Sequence, residues 1–205
     1  MKKILLVLES RASYGYSKNL LQILKKDKKI KTKTVVTGTH LSKELGYSIK
    51  NLKSDNIKID YRLNFNKKDI VDGIGKLTLE ANKVISDFKP NIVVIFGDRI
   101  ELIPFAISCS YRNDVLLAHV QAGDRSGHID DMTRMTLAKL CHIHFPATML
   151  AQKRLIKLGE QKRRIFLVGA PQLDDINHKE LSKINNIKIG KKYINLKKQE
   201  YFVLL

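Results

Sequence analysis

Short, continuously apolar runs rich in β-branched residues alternate along this chain with stretches whose apolar residues recur every three or four positions. The strand candidates are Lys3–Leu8, Thr34–Thr37, Ile57–Tyr61, Asn91–Phe96, Val115–Val120, Ile143–Phe145 and Ile165–Val168. Strands without polar alternation suit a parallel sheet covered on both faces. Between them, Ile70, Ile74, Leu77, Ala81, Val84, Ile85 and Phe88 form a helical stripe, as one face of a helix packed on a sheet requires. Leu20, Leu21 and Leu24 repeat the pattern after the first strand, and Ile129, Met132, Thr136, Leu137 and Leu140 after the fifth. The expectation is an α/β, Rossmann-like three-layer domain with a mainly parallel sheet and right-handed crossovers. A chain of 205 residues can close one such domain without a disulfide or metal staple.

Composition removes several alternatives. Apolar residues make up 43% and charged residues 28% of the chain, too apolar for wholesale disorder. Cys109 and Cys141 lie in apolar settings without CxxC spacing, so neither a disulfide framework nor a zinc site is indicated. Glu9 interrupts the leading apolar run and no small-residue cleavage site follows, unlike a signal peptide. No run approaches the ~18 apolar residues that span a bilayer. These features point to a cytoplasmic protein without a membrane partner.

The net charge of +18 is mostly lysine, clustered at Lys25–Lys29 and from Lys179 to Lys198. Apart from Tyr193 those clusters lack aromatics for base stacking, so they read as solvated segments and not as a nucleic-acid surface. Their field can still speed encounter with a small anion. Residues 179–198 read as a helix or a lysine-rich linker. Tyr201–Leu205 then reads as a strand, either the first element of a second domain or an addition to the edge of the existing sheet. The expected boundaries are therefore 1–178, 179–198 and 199–205.

In an open parallel sheet, ligands bind beyond the carboxyl ends of the strands. The polar residues and glycines gather there: Glu9 to Gly15, Thr37 to His40, Gly97-Asp98-Arg99, His119 to Gly127, and Gly169-Ala170-Pro171. Arg11 opens a helix, where it can clamp a phosphate beside free N–H groups or pair with a nearby acid. No GxxxxGK[ST] occurs, and Gly73-Ile74-Gly75 falls inside the helical stripe, so neither a P-loop nor a dinucleotide fingerprint is present.

Carboxylates carry more information. Asp98 ends an apolar strand, where burial raises its proton affinity and Arg99 lowers it. Asp124 sits in a glycine-flanked loop. Asp130 and Asp131 open a helix, and Asp130 with Arg134 forms the i,i+4 spacing of an ordinary ion pair. Acids converging on one rim would permit general acid and general base work on one substrate. His142 and His144 share a strand face without a third ligand at a metal spacing, so a satisfied core or rim histidine is the reading there. Ser126 is not in a GxSxG elbow, which disfavours acyl-enzyme chemistry.

Taken in order, the loop segments resemble the N-terminal half of the hydrolysing UDP-N-acetylglucosamine 2-epimerases of sialic and legionaminic acid synthesis. The matching segments are Ser10-Arg11-Ala12-x-Tyr14-Gly15, Val36 to Ser42 with Glu44-x-Gly46-Tyr47, Gly97-Asp98-Arg99, and His119 to Asp124. Ile129-Asp130-Asp131-x-x-Arg134 with Ala138-Lys139-Leu140, and Val168 to Pro171, complete the series. The resemblance implies one half of a glycosyltransferase-B arrangement, in which two Rossmann-like domains enclose a sugar nucleotide. It implies removal of the C2 proton, anti-elimination of UDP, and hydration of the glucal to N-acetylmannosamine, with no cofactor and no metal. By position it assigns Asp98, Asp124 and Asp130 to catalysis. It assigns Arg11, Gly38, His40, Arg99, Gln121, Asp131 and Arg134 to substrate binding. Three departures stand out: Asp124 where the hydrolysing branch has glutamate, Ser13 for an acidic residue, and Met135 for a histidine. The expected partners are a UDP-sugar and either a second copy of the chain or a separate C-terminal half. A chain of this extent is expected to be inactive alone; the alternative is a non-catalytic module that binds a sugar nucleotide.

Overall fold

The computed structural model describes residues 1–174, 186–189 and 192–195. Residues Met1–Gln172 form one compact unit. Its elements are β1 (Lys2–Leu8), α1 (Arg11–Lys26), β2 (Ile30–Val36), α2 (Ile49–Ser54), β3 (Tyr61–Arg62), α3 (Ile70–Phe88) and β4 (Ile92–Phe96). They continue with α4 (Ile103–Ser110), β5 (Leu116–Val120), α5 (Asp130–Leu140), β6 (Ile143–Phe145) and α6 (Met149–Lys157). Six strands pair in the order β3-β2-β1-β4-β5-β6, all parallel.

The strands are apolar where helices cover both faces of the sheet. Leu5, Val7, Val35, Val93, Ile95 and Leu117 pack against Leu77, Ala81, Ile85, Phe88, Phe105 and Leu137 of α3, α4 and α5. The alternating neighbours Leu6, Leu8, Val36, Val94, Phe96 and Ala118 pack against Tyr14, Leu21, Leu24, Ile49 and Leu52 of α1 and α2. The helices start where side chains satisfy free N–H groups: Ser10 and Ser13 form a reciprocal cap on α1, and Asp69 accepts the Asp72 amide on α3.

Two strand expectations change. The segment read as Ile57–Tyr61 contributes only Tyr61–Arg62 to the sheet. Ahead of it, the Asp60 carboxylate takes the Thr34 amide at 3.0 Å, and Ile57 and Ile59 pack on the α1 side. In the segment Ile165–Val168 only Ile165 bridges to His144. Its neighbour β6 ends at Phe145 and is followed by Pro146, which has no N–H to extend a ladder; Phe166, Leu167 and Val168 are left exposed. In the second unit, considered by itself, β7 (Asn186–Ile189) and β8 (Lys192–Asn195) pair antiparallel. This differs from the helix or linker expected for that stretch, and the reason is that Asn186-Ile187-Lys188-Ile189 alternates polar and apolar residues, the period of a strand. The strand expected at Tyr201–Leu205 lies outside the described residues.

Strand order reverses between β1 and β4, so the crevice for a ligand opens at the carboxyl ends of those strands. Beneath it lie two buried acids, Glu9 and Glu101. The Glu9 carbonyl accepts the Thr39 amide at 2.8 Å, and its carboxylate accepts the Ser10 hydroxyl at 2.9 Å. Glu101 faces Lys67 Nζ at 3.7 Å and Arg99 Nε at 3.6 Å. Gly38 passes between them at φ +57°, where a Cβ would stand 2.7 Å from the Glu9 carbonyl oxygen and 3.0 Å from Glu101 Oε1. Burial, with a small addition from the Glu101 charge, pushes the Glu9 carboxyl up to about 8.

Two outcomes are expected in equilibrium unfolding. Leu77, fully buried on α3, should cost ~2–5 kcal/mol when truncated to alanine; Leu79→Ala, at a side chain 74% exposed, should stay within ~0.5 kcal/mol of the unsubstituted chain. The folded state holds the Glu9 proton more tightly than the unfolded state, so stability should fall as pH rises from 4.5 toward about 8. Glu9→Gln should flatten that decline by ~2–4 kcal/mol, each pH unit of displacement being worth about 1.4 kcal/mol.

Candidate functional site

The site is organised by one guanidinium. Arg134 lies one turn into α5, and its side chain, only 11% exposed, returns to the end of β4, where Nη2 donates to Asp98 Oδ2. Its Nη1 donates to Asp131 Oδ1 at 3.3 Å. Asp131 in turn closes the loop ahead of α5, accepting the Ser126 amide at 2.8 Å, the Ser126 hydroxyl at 3.0 Å and the Gly127 amide at 2.9 Å. Those donors, led by the Ser126 amide, hold its carboxyl below the usual carboxylate range.

The expected Asp130–Arg134 pair is therefore not formed. Arg134 turns toward Asp131, three residues back, and toward Asp98, while Asp130 pairs with no cation among the described residues. The charge of Asp130 still reaches Asp98. Burial raises the Asp98 carboxyl, Arg134 opposes the rise, and Asp130 adds to it. Asp124, held between Gly123 and α5, is also raised by burial and lowered by Arg134 and Arg154. Arg154 reaches this loop from α6, donating to the Gly123 carbonyl at 3.4 Å.

The half-buried phenol of Tyr16 reports the same convergence from α1. Burial raises it first; the charges of Asp98, Glu9 and Asp124 raise it further while Arg134 lowers it. Its ring lies against Gly97, at the foot of Asp98. Residues from the ends of β1, β4 and β5 and from α5 thus share one electrostatic neighbourhood, with acids strengthened as bases by desolvation beside a fixed cation.

The remaining expected residues take different places. Arg11 is exposed at the first position of α1, and of its two readings the acid pair is not seen among the described residues. Arg99 extends from β4 to Glu101 and lowers Asp98. Gln121 is buried at φ +63° and donates to Gln172 Oε1 at 3.0 Å. Gly38 and His40 are buried beneath the rim; His40 Nδ1 meets Ser48 Oγ at 2.8 Å, and burial lowers the ring to about 4. His142 Nδ1 accepts the Leu117 amide, and His144 Nε2 meets Glu160 Oε2 at 3.2 Å, which makes both structural. Among the described residues no cluster of three His, Cys, Asp or Glu side chains could hold a metal. A cavity of about 330 Å³ lined by Leu21, Leu24, Ile30, Thr32 and Ile57 opens near the amino end of β2, away from these groups.

Sequence reasoning placed Glu9 on the rim without a role and missed Tyr16 and Glu101 as members of this neighbourhood. For Glu101 a signal existed, since it closely trails an apolar strand. Tyr16 carries none, because a tyrosine in an amphipathic helix reads equally well as core.

Residues 22–205 match the family described as UDP-N-acetylglucosamine 2-epimerase. The chain is 35% identical over 86% of its length to the UDP-N,N'-diacetylbacillosamine 2-epimerase (hydrolyzing) of Legionella pneumophila, covering 48% of that protein. It is 30% identical over 93% of its length to the GDP/UDP-N,N'-diacetylbacillosamine 2-epimerase (hydrolyzing) of Campylobacter jejuni, covering 52% of it. Its fold matches UDP-GlcNAc 2-epimerase from Neisseria meningitidis bound to UDP-GlcNAc with a TM-score of 0.75 at 22% identity, over 84% of this chain and 48% of that one. A lipopolysaccharide outer core galactosyltransferase shares the fold at a TM-score of 0.61 and 13% identity, over 82% of this chain and 45% of that one. The chain spans about half the length of the curated relatives it matches. With this family match and this acid–arginine rim on a six-stranded parallel sheet, the chain belongs to the UDP-N-acetylglucosamine 2-epimerase family.

Proposed function

We propose that this chain supplies one wall of the site of a hydrolysing sugar-nucleotide 2-epimerase, converting UDP-N-acetylglucosamine and water to N-acetylmannosamine and UDP. The observation that carries the reading is the gathering of Asp98 and Asp124 within the field of Arg134 at the carboxyl edge, with the charge of Asp130 acting on Asp98. The two relatives named as hydrolysing, the more similar one 35% identical, support the hydrolytic branch.

In this reading a carboxylate takes the C2 proton, the C1–O bond to UDP breaks, and its electron pair leaves on the diphosphate. Water then adds across the resulting glucal, hydroxyl to C1 and proton to C2 on the opposite face, which inverts C2. Asp98 and Asp124 suit the proton transfers because burial strengthens them as bases, and a positioned carboxylate supplies ~10²–10⁴ in rate. Asp130 is the third acid. It carries no ion pair among the described residues, and its charge acts on Asp98. Arg11, exposed at the start of α1, meets the diphosphate together with the N–H groups there. Asp131, with both oxygens engaged by Ser126, Gly127 and Arg134, holds the loop and Arg134 in place.

The other wall comes from a second Rossmann-like half, and turnover by these 205 residues alone is expected to be slight. Incubating the purified chain with UDP-N-acetylglucosamine and assaying free N-acetylmannosamine tests this, and robust turnover would refute the need for a second half. In a chain joined to the corresponding half of a hydrolysing relative, Asp98→Asn should cut kcat by ~10²–10⁴ while the thermal midpoint stays nearly constant. Near-normal turnover in that variant would remove Asp98 from the mechanism.

A further inference from the structure

The carboxylate of Asp98 is positioned by the chain that carries it, and β5 grips the preceding residue, Gly97, through both its amide and its carbonyl. Gly97, which turns the chain out of β4 at φ +78°, donates its amide to the Val120 carbonyl at 3.0 Å. Its carbonyl, part of the same peptide group as the Asp98 nitrogen, lies 2.6 Å from Nε2 of His119. A carbonyl oxygen can only accept, so at this distance Nε2 must carry the proton and donate it.

His119 sits in the middle of the sheet, registered between Ile95 of β4 and His144 of β6, and is fully buried. It cannot touch a ligand at the rim. Its other nitrogen, Nδ1, has no hydrogen-bond partner among the described residues, where the ring's hydrogen bond through nitrogen is to the Gly97 carbonyl. A histidine is a costly way to fill a buried strand position where leucine would pack. Its presence is explained by the one thing leucine lacks, a donor that reaches a carbonyl beyond the end of the neighbouring strand. We propose that His119 is a positioning residue for Asp98: its Nε2–H fixes the Gly97–Asp98 peptide and so holds the carboxylate against Arg134. This rests on the reading of Asp98 as a catalytic acid, but the geometry it invokes exists without substrate.

Burial, with the charges of His144 and Arg134 adding to it and the Gly97 contact opposing, lowers the ring to about 4. The ring is therefore a neutral donor above that lowered midpoint. Release of the peptide would let the Asp98 carboxyl reach water and lose the burial that raises it.

Two-bond proton–nitrogen correlation of the imidazoles in the 205-residue chain reads the tautomer directly. His119 should be neutral and protonated on Nε2 from about pH 5 to 8, above the lowered midpoint of its ring; protonation on Nδ1 alone, or a charged ring, overturns the proposal without any variant. The second arm compares His119→Gln, whose amide nitrogen reaches about as far as Nε2, with His119→Asn, which falls short. The titration midpoint of the Asp98 carboxyl, followed by carbon NMR, should fall by ~0.5 pH unit or more in His119→Asn and stay near its original value in His119→Gln. Equal midpoints in both variants and the unsubstituted chain, with the sheet amides unchanged, would overturn it, and if His119→Asn fails to fold the tautomer decides. Loss of the catalytic reading alone would look different: Asp98→Asn would leave turnover intact in the joined chain while His119 kept its tautomer and its effect on the Asp98 midpoint.

Discussion

The ion pair between Arg134 and Asp98 is the constraint on which the arrangement of this rim depends. It joins the end of a central strand to the second turn of a helix, through residues 36 positions apart in the sequence. Both side chains are largely shielded from water, at 11% and 19% exposed. Shielded charges of this kind tolerate poorly the loss of either partner, because the survivor is left uncompensated. The pair therefore fixes α5 over the crevice between β1 and β4, and with it the loop that carries Asp124. Asp131 reinforces the same arrangement from the other side of the guanidinium.

Around that pair the rim is electrostatically balanced in a particular way. Desolvation pushes Asp98 and Asp124 up while Arg134 restrains both, which makes them stronger bases than solvent-exposed acids. Deeper in, Glu9 and Glu101 are buried under Gly38. The two cations nearest Glu101, Lys67 and Arg99, stand at ion-pair distance rather than in close hydrogen bonds. That lower layer holds the β1, β2 and β4 loops together and is where the fold carries its electrostatic cost. Ser13, one of the departures from the family pattern, has a local role: its hydroxyl accepts the amides of Glu9 and Ser10 and caps α1. An acid is thus not needed at that position to start the helix.

Much of this architecture was legible in the sequence because parallel strands buried on both faces must be continuously apolar, as Leu5–Leu8 and Val93–Phe96 are. The helical stripe ending at Phe88 was legible for the complementary reason, a single face against the sheet. What failed was local and tertiary. The run Ile165–Val168 has strand composition, but Pro146 has no N–H to give it, so beyond the one bridge at Ile165 only the Val168 amide is taken, by the Pro146 carbonyl. The i,i+4 rule chose Asp130 for Arg134, whereas the nearer demand of Asp98, a residue distant in sequence, turned the guanidinium toward Asp131. The rim itself was readable from the segregation of polar residues at strand ends, but the buried pair beneath it depended on how closely Gly38 passes Glu9 and Glu101, a distance no pattern of residue types encodes.

The most direct test of a single substrate rim is amide chemical-shift mapping of the 205-residue chain titrated with UDP-N-acetylglucosamine. Binding at that rim should perturb Arg11, Gly97, Asp98, Asp124 and the start of α5 together, at one common midpoint. Perturbations confined to the groove near Ile30 and Ile57, or scattered along the lysine clusters with the strand ends silent, would contradict it.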